Sequence, residues 1–91
     1  MKTGIELIAD ERAEQINKHG WDIDHDVEEN KEGQLPTAAM WLIEGGLTMR
    51  QRTPSEWDEI TWQRMCDKSY KDRLIIAGAL IAAEIDRLQN S

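Results

Sequence analysis

The stretch Ser69-Tyr70-Lys71-Asp72-Arg73-Leu74-Ile75-Ile76-Ala77-Gly78-Ala79-Leu80-Ile81-Ala82-Ala83-Glu84-Ile85-Asp86-Arg87-Leu88 decides the fold class. Ser69 with Asp72 three residues on resembles a capping box, and from Tyr70 onward Gly78 is the only breaker until the chain nearly ends. The pattern predicts a long terminal helix. From Leu74 to Ala83 that helix is apolar on every side, whereas a surface helix shows a single apolar stripe, so it calls for cover all round. The uncharged run is about half of the roughly 20 residues needed to cross a bilayer. Protein rather than lipid is therefore the expected cover. Ala77, Gly78, Ala79, Ala82 and Ala83 are small enough to admit another backbone closely. A second copy of this helix is one such cover, and a central place within a single chain is the other.

Upstream, Thr53, Pro54 and Glu56 offer a cap, a first-turn proline and a carboxylate, which predicts a short helix from there to about Cys66. Another is expected from near Leu35, where Pro36 fits a first turn and Ala38, Ala39, Leu42 and Ile43 continue one face until Gly45 and Gly46. Trp21 to Gly33 is rich in acidic residues and has no helical apolar period. It is expected as a surface loop pinned by Trp21, Ile23 and Val27. At the start, Thr3 and Glu6 have the form of a capping box, Ile5, Ile8, Ala9, Ala13 and Ile16 make an apolar stripe, and Gly20 stops the helix. The expected fold is all-α: one domain over residues 1–91, a small bundle of three to four helices with a long apolar C-terminal helix and no sheet. A chain of 91 residues buries only about 60 to 65% of the surface its unfolded form exposes. Assembly as a dimer or larger homo-oligomer is expected on that ground too.

Eleven Lys and Arg stand against 18 Asp and Glu, and a net charge of -7 repels nucleic-acid backbones and anionic membrane surfaces. Neither nucleic acid nor membrane is an expected partner. The single cysteine, Cys66, excludes an intramolecular disulfide and a cysteine-rich zinc site, which suits a reducing, cytoplasmic setting. Met1 to Asp10 lacks the basic and long apolar stretches of a signal peptide, so export is not expected.

The acidic segment places Asp22, Asp24 and Asp26 in the alternation that opens a calcium loop, but Val27 stands where the turn glycine belongs and Gly33 where the bidentate glutamate belongs. His25-Asp26 has only His19 to supply a second imidazole. Magnesium needs facing carboxylates from two helices. The candidates Glu11, Glu14, Glu28, Glu29, Glu32 and Glu44 are scattered, and Glu84 and Asp86, two apart, point to different sides. Cys66 has no histidine near it in sequence to activate it. No catalytic residue, metal or cofactor is expected.

The aromatic inventory is the stronger anomaly: four tryptophans, one tyrosine and no phenylalanine. Indole rings stack on nucleobases and nearby basic groups hold phosphates. Trp21 follows Lys18, His19 and Gly20, with Arg12 upstream, while Trp57 and Trp62 lie near the third helix. Ser69, Tyr70, Lys71 and Arg73 open the last helix, whose free amides attract an anion. Together with Gln15 and His25, these residues form the candidate ligand-binding set. Ordinary core packing is the competing role for each tryptophan.

Glu11-Arg12 with Gln15, Lys18-His19-Gly20-Trp21, His25-Asp26, Gly33-Gln34-Leu35, and Ala77-Gly78-Ala79-Leu80 through Ala83-Glu84-Ile85-Asp86-Arg87-Leu88 resemble, in residues and spacing, a family of small phage and prophage proteins. The resemblance covers nearly the whole chain and implies a phage-associated origin. Two functional analogies accompany it. One is to small oligomeric phage proteins that sequester nucleotide signals of bacterial immunity, such as cyclic ADP-ribose species or cyclic dinucleotides. The other is to MazG-like nucleotide pyrophosphohydrolases, from which this chain departs in lacking two carboxylates a turn apart on each of two helices. An inhibitor of a host protein is a third possibility, to which the acidic surface lends weight. The expectation is a non-catalytic, anti-defence nucleotide-binding protein.

Overall fold

The computed structural model describes residues 1–90, with the side chains of all but His19, Ile23 and Asp24. The ligand role expected of His19, the pinning role of Ile23 and the place of Asp24 in the acidic trio lie outside the described residues. All the regular secondary structure among the described residues is helical: α1 (Gly4–His19), α2 (Ile23–Glu29), α3 (Gln34–Glu44), α4 (Gly46–Gln51), α5 (Glu59–Cys66) and α6 (Tyr70–Gln89). The all-α expectation holds, but there are six helices among the described residues instead of three to four. None is long and apolar enough to cross a membrane.

The starts of α1, α2, α5 and α6 follow from side chains that satisfy free amides. The Thr3 hydroxyl accepts from the Glu6 amide at 3.3 Å while Glu6 accepts from the Thr3 amide at 2.9 Å, and Gly20 ends α1 at φ 69°. The Ser69 hydroxyl accepts from Asp72 at the head of α6. The expected loop at Trp21–Gly33 instead holds α2, capped by the Asp22 carboxylate on the His25 amide. With 7 residues, α2 is too short to show an apolar period, and the buried one among its described side chains is the carboxylate Asp26. Gly45 and Gly46 do not merely end α3; Gly45, at φ 74° and ψ -163°, turns the chain directly into α4. The helix expected from Pro54 starts later, at Glu59, because Asp58 caps Thr61 while Pro54 sits in a turn whose carbonyl accepts from the Trp57 amide.

The core gathers Leu35, Ala38, Ala39 and Leu42 of α3, Trp62, Met65 and Cys66 of α5, and Ile76, Ala77, Leu80 and Ala83 of α6, joined by Met49. α3 and α1 flank α6. The close approach that small residues permit is made within the chain: Ala77, Ala79 and Ala83 are buried, and a Cβ on Gly78 would stand 2.5 Å from Ile8 Cδ1 of α1. Cover of α6 is incomplete all the same, since Leu74, Ile81 and Ile85 are 38%, 45% and 51% exposed.

α1 departs most from its sequence pattern. Ile5, Ala9 and Ala13 of the expected stripe are exposed, while Arg12 and Gln15 are buried. A helix that buries a guanidinium and an amide in preference to an isoleucine has a reason specific to those groups, because polar burial is costly unless the groups are partnered.

Candidate ligand-binding site

Arg12 supplies the first reason. Its Nη1 donates to the Trp21 carbonyl at 2.7 Å, and its Nη2 lies 3.5 Å from Asp26 and 3.7 Å from Asp86. The buried Asp26 accepts from Asn30 Nδ2 at 2.8 Å and faces His25 Nδ1 at 3.4 Å. Burial pushes the Asp26 carboxyl above the usual range, against the pull of the His25 and Asn30 hydrogen bonds and the Arg12 charge. Asn30 in turn accepts from Trp57 Nε1 at 2.7 Å. One polar chain thus ties α1, α2 and the turn before α5 together, fixing Trp21 by its backbone and Trp57 by its ring.

The two indoles so held lie 5.7 Å apart at 33°. Trp57 meets the fully buried Trp62 edge-on at 6.0 Å, and Trp62 meets Trp41 at 6.1 Å. Cavities open on either side of Trp21. The smaller, about 120 Å³, is bounded by His25, Glu29, Asn30, Trp57 and Asp58. The larger, about 220 Å³, lies between α1 and α5, with Glu11, Glu14 and Gln15 on one wall, Thr61, Arg64 and Lys68 on the other, and Met65 and Ile76 below. It adjoins a groove of about 320 Å³ that shares Glu11, Glu14, Lys68 and Ile76 and reaches Asp72. The three form a furrow with Trp21 standing in it.

Gln15 is 1% exposed. Its Nε2 donates to Glu11 Oε2 at 3.2 Å, and its Oε1 is buried without a hydrogen-bond partner.

Of the residues singled out from sequence, Gln15, Trp21, His25 and Trp57 come together on the furrow. Arg12 sits behind it as a positioning residue, and Trp62 is core, donating to the Met49 carbonyl at 3.0 Å. Lys18 pairs with Glu14 at 3.3 Å beside the furrow. The head of α6 lies apart. Ser69 caps, Arg73 donates to the Leu42 carbonyl at 2.8 Å and stands over the exposed Tyr70 ring at 5.5 Å, and Lys71 borders a separate groove by Leu74. Thr61 and Arg64 were not legible as site residues, although with Lys68 they recur at spacings of three and four, the signal of one helix face. Glu11 and Glu14, weighed in the sequence as metal ligands and set aside as too scattered, share a wall with Gln15. Among the described residues, no three His, Cys, Asp or Glu side chains come together as a metal site would require.

Comparison with models of known protein families, with curated proteins and with solved structures found no match. The chemistry of the furrow follows from its own residues. An indole face receives a flat ring, and two cations opposite receive an anion. A ligand with both features fits the furrow best.

Proposed function

We propose that the protein binds a small nucleotide in the furrow and holds it without turning it over, sequestering a signalling nucleotide of bacterial immunity in the cytoplasm of a phage-infected cell. The observation that carries this is the meeting of Trp21, Gln15, Arg64 and Lys68 around one cavity of about 220 Å³. The sequence resemblance to phage proteins supports the biological setting. Stacking on an indole contributes roughly 1 to 3 kcal/mol per base and a charged hydrogen bond about 1.5 to 3. Two or three such contacts reach submicromolar affinity after the cost of association. A net charge of -7 works against an anionic ligand, so Arg64 and Lys68 carry the local attraction.

Titration of the intrinsic tryptophan fluorescence with cyclic ADP-ribose isomers and cyclic dinucleotides tests the proposal, followed by heat release and chromatography of the ligand. Saturable binding, weakened at least tenfold in an Arg64→Ala, Lys68→Ala double variant, is the expected result. No binding by any of these ligands refutes it. Because Glu11 and Glu14 line the same cavity, a MazG-like hydrolase is the second reading. Intact nucleotide recovered after incubation with magnesium supports sequestration, and hydrolysed products support the enzyme.

We also propose that the working form is a homo-oligomer. Ile81 adjoins Met40 and Ile43 of α3 around an apolar hollow of about 410 Å³, and Leu74, Ile81 and Ile85 recur at spacings of seven and four. That is the seam spacing a like helix covers. A second copy brings the same largely apolar face, with Glu44 the one charged residue around the hollow.

A further inference from the structure

The two sides of Trp21 differ in charge. The larger cavity mixes Arg64 and Lys68 with Glu11 and Glu14, whereas the smaller one sets Glu29, Glu56 and Asp58 beside the Trp21 and Trp57 rings, with no Lys or Arg among its described lining residues. Asp58 is engaged by Thr61, whose amide and hydroxyl both donate to it at 2.8 Å. The Glu29 and Glu56 carboxylates have no hydrogen bond or ion pair among the described residues. Glu56 is held at φ 69°, so a carboxylate is kept where the backbone favours a residue with no side chain. Two uncompensated carboxylates beside two indoles attract a cation. Size and hydration then select its class. A bare divalent ion needs carboxylates converging on one point, and no three His, Cys, Asp or Glu side chains do so among the described residues. A primary ammonium or a guanidinium brings N–H groups that need acceptors aimed at them. A quaternary ammonium brings none: its charge is spread over methyl groups, which rest on indoles and feel the carboxylates without a directed bond. The cavity, about 120 Å³, is close to the roughly 150 Å³ that houses a benzene ring in an engineered protein core, the size of one such head group. We infer that the smaller cavity binds a trimethylammonium head group against Trp21 and Trp57, with Glu29 and Glu56 supplying the opposite charge.

The test titrates the full chain with choline and with its uncharged isostere, in which a carbon replaces the nitrogen, and follows the ligand methyl signal and the Trp57 indole N–H by NMR. The expected result is that the choline methyl signal moves upfield under the rings, the Trp57 N–H shifts along the same saturation curve, and the isostere binds about tenfold more weakly. A Glu29→Gln, Glu56→Gln double variant, altered at two exposed positions, lowers the affinity for choline about tenfold and leaves that for the isostere as it was. Acetylated trimethyl-lysine, run beside choline, separates a free base from a modified side chain as the source of the head group, the tighter binder being the source. Equal binding of choline and isostere overturns the inference and reduces the cavity to an apolar recess. Unchanged choline affinity in the double variant overturns the role of the two carboxylates. Binding of neither choline nor trimethyl-lysine overturns the site, and leaves the nucleotide reading, which concerns the other side of Trp21, to its own test.

Discussion

Asp26 is the residue on which the site's framework turns. It is 1% exposed and serves Arg12 and Asn30 at once, so its removal takes the buried charge partner from a guanidinium and the acceptor from a buried amide N–H. Breaking a buried charge pair by removing one partner costs about 3 to 5 kcal/mol, and Asp26→Ala is expected to lose that much in urea unfolding. The pH dependence has a definite sign. Because burial raises the Asp26 pKa, the folded state holds this proton more tightly than the unfolded chain does. Its contribution to stability is therefore greatest below the ordinary carboxylate range and falls as pH rises through the raised pKa. Glu6 and Asp58, whose carboxyls are lowered by the Thr3 and Thr61 hydrogen bonds, act the opposite way and lose their contribution as pH falls. Subtracting the stability profile of Asp26→Asn from that of the parent should expose a decline with rising pH; a flat difference would contradict the assignment. Cys66, 1% exposed and pushed up by burial, should stay unmodified by thiol reagents until the protein is unfolded, as a timed colorimetric assay would show.

At the scale of elements, what was legible in sequence was what local chemistry decides. The Thr3–Glu6 box, the Gly20 stop and the Ser69 start all appear where the residues place them, because each is a contact between neighbours. The inward face of α1 was not legible, since Arg12 is held inside by Trp21, Asp26 and Asp86, groups beyond α1 that its own periodicity does not show. The same holds for Arg64, which becomes a site residue only when α5 docks opposite α1. The α3–α4 corner rests on one position. Gly45 lies in a backbone region open almost solely to glycine, and a Cβ there would approach Arg73 Nη1 to 2.6 Å. Gly45→Ala is expected to cost about 1 to 3 kcal/mol in strain and to loosen the Arg73 bond to the Leu42 carbonyl, seen as a lower melting temperature.

For the molecule as a whole, the radius of gyration of 12.4 Å is close to the roughly 12 Å of a single folded chain of this length. The self-association proposed above is therefore an addition to a chain that already has a core. Substitutions separate the two. Ala79 is fully buried within the chain, so Ala79→Arg should unfold it, whereas Ile81→Arg and Ile85→Arg fall on exposed positions and should shift the mass toward the monomer with the helical signal kept. Light scattering with circular dichroism reads both at once. An unchanged mass in the Ile81 and Ile85 variants would place the interface elsewhere.

The row of indoles from Trp21 through Trp57 and Trp62 to Trp41, each about 6 Å from the next, has an optical consequence. Excitation absorbed by any of the four passes readily among them, so the emission belongs to the row more than to a single ring. Two members at 33° also couple their transition dipoles and give the near-ultraviolet dichroism a signed, structured band that isolated indoles lack. A molecule seated against the first ring perturbs the whole row, and the protein carries its own colourless dye for whatever enters the furrow.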